Sequence, residues 1–285
     1  SFISNDYTST QNEIYFNVNN ENLGVYLQSI GFNDELAYII TDNANSITVV
    51  NRYTFEKVDE ITTGLLTPRY ITFLNGKGYV SNWGDGFDAT DDFIAIIDLS
   101  THLVEDTIPV GEGPEFILGK SDKLYISHKG GYNVNNVISV VSTTNNTIDE
   151  VTVNDVPDEM AFDTNGNLVV LSSGANQFWL TPPIETLASI TRINTNDNSV
   201  MVNLEFSNGE HPGLMTYSAG TTFYVLNNKL YGLEDTSTAL PTTSVLDFTV
   251  DYAYGMTVKD NMFYVTDASF TGQSKFLVYD LGTST

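Results

Sequence analysis

The residues with the clearest chemical potential are aromatic and cationic side chains in short segments rich in glycine and proline. This group comprises Arg69, Trp83, Phe87, Tyr132, Phe178, Trp179, His211, Tyr252, Tyr254 and Phe270. Aromatic and guanidinium groups supply much of the binding energy at ligand pockets and protein interfaces. The set therefore predicts a binding surface. The alternative is that these rings cap a hydrophobic core and pack against neighbouring loops.

One of these segments is also strongly acidic. In the run from Asp85 to Asp92, the carboxylates of Asp85, Asp88 and Asp91 could supply oxygen ligands to Ca²⁺. The run lacks EF-hand spacing, and acidic loops are commonly just solvated in a chain with 36 acidic and 11 basic residues. A second run, Asp163 to Asn167, fits a hairpin turn better than a calcium loop. We expect no cofactor, with calcium at the three aspartates as the open alternative.

Groups for catalysis are sparse. His102, His128 and His211 are the three histidines, and a single histidine in a loop is more often a structural hydrogen-bonding group than a metal ligand. Neither a Gly-x-Ser-x-Gly elbow nor a His-Glu-x-x-His, P-loop or dinucleotide motif occurs. The chain has no cysteine, which excludes thiolate chemistry and disulfides. These observations predict a protein that is not an enzyme.

Composition narrows the classes of partner. The net charge of −25 would repel nucleic acid and anionic membranes, whereas cations, metal ions and carbohydrate stay open. Hydrophobic residues make up 41% of the chain, which is ample for a large core. The charged fraction is only 16%, and Asn, Thr, Ser, Gly and Tyr are abundant, as in secreted or surface bacterial proteins. No apolar run approaches the roughly 18 residues of a membrane span.

A repeat must position these residues. A short motif, aromatic then β-branched then small and polar, begins at residues 2, 38, 79, 125, 169, 224 and 264. The spacings lie between 36 and 55 residues and bracket the ~40–45 residues of a four-stranded propeller blade. The sequence therefore predicts an all-β fold, a single seven-bladed β-propeller of four-stranded antiparallel blades. The predicted blades are approximately residues 1–29, 30–69, 70–115, 116–159, 160–214, 215–255 and 256–285, with ring closure between the N- and C-terminal segments.

The clearest copy shows the order of its parts. An inner strand at residues 70–73 is followed by a turn containing Asn75-Gly76, which favours the positive φ angles of a type I′ hairpin. Strands at 79–82, 92–99 and 103–110 complete the blade. Loops between the second and third strands emerge on the same face as connections between blades. This topology predicts that the aromatic group lies on one face.

Three segments of one copy of the repeat carry a family resemblance: Gly78-Tyr79-Val80-Ser81-Asn82, residues 93–98 and residues 104–111. Together they resemble the YVTN-type β-propeller repeat. The resemblance is greatest to the Bacteroidetes cell-surface propeller lipoproteins, and it covers nearly the whole chain. It implies a protein exported to the cell surface or periplasm, associated with the outer membrane, and held by a lipid anchor upstream of this chain. It further implies an outer-membrane β-barrel or TonB-dependent transporter as partner, and a corrinoid as a candidate ligand. No ligand-contacting residue transfers from the family.

Two functions follow from these observations. The first is a non-catalytic surface module that captures a ligand, or docks on an outer-membrane transporter or envelope complex, through its aromatic loop face. The alternative is a propeller enzyme, a lyase or a periplasmic oxidoreductase subunit, with a metal or cofactor at the central channel that is reached by His128, His211 and carboxylates of the inner strands. We expect no binding of nucleic acid in either case.

Overall fold

The computed structural model describes residues 1–269 and 271–282. The chain divides into two compact units. The first comprises residues 1–126, 131–133 and 139–148, and the second comprises residues 127–130, 134–138 and the described chain from residue 149 onward.

Strands account for nearly all the regular structure. Those before residue 130 are β1 (Phe2–Ile3), β2 (Thr10–Gln11), β3 (Leu27–Asn33), β4 (Leu36–Thr41), β5 (Ser46–Asn51), β6 (Lys57–Ile61), β7 (Pro68–Leu74), β8 (Lys77–Asn82), β9 (Phe93–Asp98), β10 (Leu103–Pro109), β11 (Pro114–Lys120) and β12 (Lys123–His128). The next are β13 (Val137–Ser142), β14 (Ile148–Thr152), β15 (Pro157–Phe162), β16 (Leu168–Ser172), β17 (Asn176–Gln177), β18 (Ile184–Glu185), β19 (Ser189–Ile193) and β20 (Val200–Glu205). The last are β21 (Leu214–Ser218), β22 (Thr221–Leu226), β23 (Lys229–Glu234), β24 (Leu246–Asp247), β25 (Ala253–Lys259), β26 (Met262–Asp267) and β27 (Lys275–Asp280).

The strands form small antiparallel sheets, which are the blades of a β-propeller. Five sheets have four strands, in the orders β3-β4-β5-β6, β7-β8-β9-β10, β11-β12-β13-β14, β15-β16-β19-β20 and β21-β22-β23-β24. A sixth sheet, β25-β26-β27, has three described strands. The all-β propeller predicted from the sequence is confirmed, but the predicted number of seven blades is wrong because the described chain forms six.

The error lies in the first copy of the repeat. Residues Phe2 and Ile3 do form a strand, but this strand pairs with Gln11 and Thr10 of β2 in a two-residue ladder. The polar side chains between β1 and β2 form hydrogen bonds with one another, since the Asp6 carboxylate accepts from the hydroxyls of Ser4 and Thr8. Such local bonds compete with a sheet ladder. The expected pairing between the chain ends is therefore absent from the described sheets, in which β1 pairs with β2.

A short helix, α1 (Ile14–Asn19), follows this hairpin, although the sequence predicted no helix. Tyr15 of the helix is buried against Ala37, Ile39 and Val50 of the first blade. The Asn19 side chain donates to the carbonyl of Phe55 at 2.8 Å and accepts from the amide of Lys57 at 2.9 Å. The N-terminal segment thus covers one apolar face of the first blade. No helix of the described chain is long and apolar enough to cross a membrane.

The core lies between successive blades. In the first unit, Tyr38 and Ile40 of the first blade pack with Val80 and Ile97 of the second. The inner strands β3, β7 and β11 lie side by side in this unit, as β15, β21 and β25 do in the second unit. The second and third strands, such as β4 and β5, are buried along nearly their whole length, so both of their faces carry core side chains. The sequence had predicted half-buried, alternating strands at these positions.

The small polar residue of the repeated motif has a structural reason. Ser81 at the end of β8 is fully buried, and its hydroxyl donates to the carbonyl of Glu115 at the start of β11, at 2.6 Å. Ser127 of β12 donates in the same way to the carbonyl of Asp158 in β15, at 2.7 Å. Each serine thus links the second strand of one blade to the inner strand of the next.

The hairpin turns follow the sequence prediction. Asn75 and Gly76 have φ angles of 52° and 78°, as a type I′ turn requires. Asp260 and Asn261, with φ of 51° and 62°, occupy the corresponding turn of the sixth blade. Asparagine tolerates this left-handed region better than most residues, so these turns fix the register between first and second strands.

Candidate functional site

Backbone hydrogen bonds hold the loop between β8 and β9, which carries Trp83, in position. In the first unit, the amides of Trp83 and Gly84 donate to the carbonyls of Thr67 and Leu66, at 3.1 and 3.2 Å. Thr67 lies in the left-handed region with φ of 53°, directly before Pro68. Its amide donates to Asn45 Oδ1 at 2.7 Å and its hydroxyl to the Gly84 carbonyl at 2.8 Å. These bonds bring the start of the β8–β9 loop beside the start of inner strand β7.

Arg69 follows this turn and is buried, with 9% of its surface exposed. Its Nε and Nη2 donate to the two carboxylate oxygens of Glu115, both at 2.9 Å, and its Nη1 donates to Asp42 Oδ2 at 2.5 Å. Burial acts to lower the pKa of Arg69, but the carboxylates of Glu115 and Asp42 outweigh it and raise that pKa. The sequence placed Arg69 among exposed binding residues. The structure instead makes it a buried support, because two carboxylates from neighbouring segments hold it.

Three rings lie above this support. The guanidinium carbon of Arg69 is 4.0 Å from the centroid of the Trp83 ring. Trp83 meets Tyr132 edge-on, with centroids 6.1 Å apart and planes at 69°, and Tyr132 stacks on Phe87 at 5.9 Å and 23°. Phe87 is 96% exposed and Tyr132 is 71% exposed. Exposure of the rings therefore increases from half-buried Trp83 to Tyr132 and Phe87, which face solvent.

Two glycines permit this arrangement. Gly84 has φ of 61°, and a Cβ there would collide with the carboxylate of Asp91. A Cβ on Gly86 would collide with the ring of Tyr132. The loop backbone can approach both side chains only because glycine stands at these positions.

The acidic loop folds on its own hydrogen bonds. Asp91 Oδ2 accepts from the Asp85 amide at 2.9 Å, and Asp85 Oδ1 accepts from the Phe87 amide at 3.1 Å. Asp88 Oδ1 accepts from the hydroxyl and amide of Thr90, which lowers the pKa of Asp88. Among the described residues, no group of three or more His, Asp or Glu side chains is arranged to hold a metal ion. The calcium prediction for Asp85, Asp88 and Asp91 therefore gains no geometric support.

A shallow cleft of about 10 Å³, which has room for about one water molecule, lies beside the rings. Trp83 and Tyr132 contribute its aromatic lining. Its carboxylates come from Asp85, Asp88, Asp92 and Glu112. Burial raises the pKa of Asp92 to about 7, and the charges of Asp91 and Glu112 act in the same direction. We call Arg69, the three rings and these four carboxylates the aromatic site.

The remaining predicted residues lie in the second unit. His211 Nδ1 is 2.7 Å from the Ser173 carbonyl oxygen, and His211 Nε2 is 2.9 Å from Glu185 Oε1. Phe178 and Trp179 contact each other edge-on at 5.2 Å, and both are exposed in the insertion that carries β17 and β18.

Two further predictions concern the last blade. Tyr252 and Tyr254 are exposed, with ring centroids 6.1 Å apart. Phe270 lies outside the described residues. The structure thus brings together Arg69, Trp83, Phe87 and Tyr132 in the first unit, and it pairs Phe178 with Trp179 and Tyr252 with Tyr254 in the second.

Sequence reasoning missed the carboxylates of Asp42 and Glu115 that hold Arg69, and those of Asp92 and Glu112 in the aromatic site. Asp42 and Glu115 lie 27 and 46 residues from Arg69 in the chain, so spacing gave no sign of their pairing. A signal did exist for Glu115, since Pro114-Glu115 begins an inner strand at the position that Pro68-Arg69 occupies one blade earlier. Asp92 and Glu112 carried no distinguishing pattern in so acidic a chain.

Comparisons with known proteins bear on the fold. No protein-family model matches the sequence, and no curated protein matches it. Among solved structures, the extracellular domain of the one component system BT4673 from B. thetaiotaomicron is similar, with a TM-score of 0.65 and 14% identity over 90% of this chain. The chain spans about a third of that protein, 34% of its length.

Two enzymes share the fold. Virginiamycin B lyase from Staphylococcus aureus has a TM-score of 0.64 at 14% identity, covering 89% of this chain and 84% of the lyase. The dihydro-heme d1 dehydrogenase NirN has a TM-score of 0.54 at 12% identity, covering 90% of this chain and 64% of NirN. At such identities the likeness shows a β-propeller and nothing finer. The YVTN resemblance stays a prediction.

Proposed function

We propose that this chain is a non-catalytic binding module that works outside the cytoplasm and holds its ligand at the aromatic site. The single observation that carries the proposal is the exposed Phe87–Tyr132 stack above half-buried Trp83, which lies on buried Arg69. Exposed aromatic rings cost solvation free energy unless a partner covers them. Here glycine at positions 84 and 86 lets the loop pack closely around the rings, and the buried ion pairs of Arg69 hold Trp83. Such preorganised groups are typical of binding surfaces.

The proposed location rests on fold neighbours and composition. The Bacteroides structure is an extracellular domain, and the low charged fraction of this chain, 16%, suits the same environment. The proposals of a lipid anchor, of outer-membrane association and of docking on a β-barrel or TonB-dependent transporter rest on the family resemblance alone. A corrinoid would not be enclosed beside the rings, because the cleft there measures about 10 Å³, far below the roughly 300–1,000 Å³ of drug-sized ligand sites.

The proposal is tested by screening a chemically mixed panel, of neutral sugars, organic cations, organic anions and cobalamin, for saturation transfer by NMR. We expect at least one class to bind, and Tyr132→Ala to weaken it at least tenfold. Tyr53→Ala is the matched control, because Tyr53 is 70% exposed elsewhere in the first unit, against 71% for Tyr132. Trp179→Ala asks separately whether the second aromatic pair takes part. Equal binding by wild type and Tyr132→Ala would refute the proposed site.

The enzyme alternative has one specific support, since two fold neighbours are enzymes. It needs His128 and His211 to be available. His128 is fully buried at the end of β12, and both ring nitrogens of His211 have partners within 2.9 Å. Elemental analysis of the purified protein tests this alternative: a stoichiometric metal that is lost when His128 and His211 are both changed to Ala would establish it over the binding module.

A further inference from the structure

We infer that a second cleft, in the first unit, binds small amphiphilic carboxylates: molecules with an apolar alkyl or aryl body and one carboxylate group. The cleft lies between the N-terminal segment, residues 1–19, and the turn that joins β5 to β6. It shares no lining residue with the aromatic site, so this inference is independent of the proposed function and goes beyond it.

The cleft is large and mostly apolar. It measures about 380 Å³, within the roughly 300–1,000 Å³ of small-molecule sites. Its apolar walls are Phe2 of β1, Ile14 and Val18 of α1, and Tyr53 and Phe55 of the β5–β6 turn. Phe2, Val18 and Tyr53 are exposed. An apolar body seated here would remove their surface from water, which is favourable.

Arg52 supplies the charge of the cleft. It lies in the β5–β6 turn and is the only charged residue among the described residues that line the cleft. Its guanidinium carbon is 4.6 Å from the centroid of the Phe32 ring and 5.6 Å from that of the Tyr53 ring. Its Nη1 donates to the Asp34 carbonyl oxygen at 3.3 Å. These uncharged groups position the guanidinium without neutralising it.

Arg52 differs in this respect from the two other arginines of the chain. Arg69 and Arg192 each lie within 3.5 Å of at least one carboxylate. Within residues 1–269 and 271–282, no carboxylate lies at ion-pair distance from Arg52, although the chain has 36 acidic residues. A guanidinium presents five N–H donors in a planar fork that matches a carboxylate. A ligand carboxylate can therefore accept paired, charge-assisted hydrogen bonds from Arg52.

The turn that carries Arg52 is held rigidly. Asn51 Oδ1 accepts from the amides of Tyr53 and Thr54, at 2.9 and 3.1 Å. The amide of Phe55, which has φ of 61°, donates to the Asn51 carbonyl at 2.9 Å. The charged and aromatic walls of the cleft are thus preorganised, so binding orders little of the chain.

Other ligand classes fit this cleft less well. Cations would meet Arg52 and no acidic residue of the described lining. Uncharged apolar molecules could contact the walls but would gain nothing from the guanidinium charge. The net charge of −25 repels anions in general, so a preference for carboxylates must come from local contact with Arg52.

A neighbouring cleft of about 510 Å³ provides an internal comparison. It shares Ile14 and Phe55 with the first cleft. Among the described residues that line it, Glu13 has the only charged side chain. This second cleft can therefore accept an apolar body but disfavours a carboxylate.

The test compares carboxylates with amides of the same shape by isothermal titration calorimetry on the full chain. Octanoate is paired with octanamide, and 4-phenylbutanoate with 4-phenylbutanamide, so the two pairs separate alkyl from aryl bodies. We expect at least one carboxylate to bind about tenfold more tightly than its amide, because the amide forms no charge-assisted bond with Arg52. Acetate, which lacks the apolar body, should bind much more weakly. The inference is overturned if neither carboxylate binds, if both amides bind as tightly as the carboxylates, or if acetate matches octanoate.

Variants locate the recognition. Arg52→Gln should remove the preference for carboxylate over amide. Lys77→Gln, which removes one positive charge from β8 of the second blade, is the matched control and should preserve that preference. A preference that survives Arg52→Gln would overturn the inference. So would a preference that both variants reduce equally, because net charge would then decide binding.

Reciprocal variants separate this cleft from the aromatic site. Tyr132→Ala should leave octanoate binding unchanged, since Tyr132 does not line the cleft. Octanoate binding that depends on Tyr132 and not on Arg52 would overturn this inference and support the proposed function. Because Tyr53 does line the cleft, panel anions that depend on Tyr53 and not on Tyr132 report the cleft and leave the test of the aromatic site unaffected.

Discussion

The guanidinium carbon of Arg69 lies 4.0 Å from the centroid of the Trp83 ring, on a side chain that Glu115 and Asp42 hold by three hydrogen bonds. A cation–π contact of this kind is stronger when the cation is removed from water. The buried ion pairs thus fix the inner ring of the aromatic site, and the outer rings follow from its position. Stability of the first unit and geometry of the site are therefore linked through one residue.

The first prediction concerns this residue. Arg69→Met keeps much of the apolar volume but leaves the Glu115 carboxylate, which is 2% exposed, without its guanidinium partner. Breaking a buried pair in this way costs about 3–5 kcal/mol of unfolding free energy. Urea unfolding followed by circular dichroism measures the loss. The double change Arg69→Met with Glu115→Gln should recover a large part of it; a double variant as unstable as the single one would show that the ion pair is not the cause.

The sequence predicted those parts of the fold that depend on local chemistry. Asn75-Gly76 predicted its turn because positive φ is a property of the residues themselves. Second and third strands were found because their runs of β-branched and aromatic residues are a local feature of the sequence. The loops carrying Trp83 and Tyr132 were assigned to one face from strand order alone, and in the first unit the two rings are in contact.

The parts that failed depend on which segments of the chain pair with each other. Phe2-Ile3 matches the strand motif, but four residues do not determine which strand will pair with them, and here it is Thr10–Gln11. Arg69 looked like an exposed ligand contact because nothing in Thr67-Pro68-Arg69 reveals that Asp42 and Glu115 converge on it. Neither the Phe2-Ile3 motif nor the segment around Arg69 determines by itself which residues will pair with it.

A second prediction concerns Glu159 of inner strand β15. Burial, with the charge of Asp158, raises the pKa of Glu159 to about 8, although its carboxylate accepts a hydrogen bond from the Met215 amide. An acid whose pKa is raised on folding stabilises the protein fully below its unfolded value of 4.5, and this contribution is lost as the pH rises towards 8. Glu159→Gln keeps the acceptor and removes the charge.

The variant should therefore match wild type at pH 4 and exceed it at pH 9 by a few kcal/mol of unfolding free energy, on the order of 3. Chemical unfolding at each pH measures the difference. Glu150→Gln, on exposed outer strand β14, controls for the general relief of negative charge. A Glu159→Gln gain at pH 9 no larger than the Glu150→Gln gain would contradict the assignment.

A third prediction concerns backbone strain. Val156 has φ of 59° directly before Pro157, and a β-branched residue in the left-handed region costs roughly 1–2 kcal/mol. Its amide and carbonyl are both held, by Asn135 O at 2.8 Å and Ser173 N at 3.0 Å. Val156→Asn should raise the unfolding free energy by about 1 kcal/mol, because asparagine adopts this conformation more readily. Thr67→Asn should gain less, since it loses the hydroxyl bond to Gly84; thermal unfolding of both variants ranks them, and a destabilised Val156→Asn would mean that valine packing outweighs the strain.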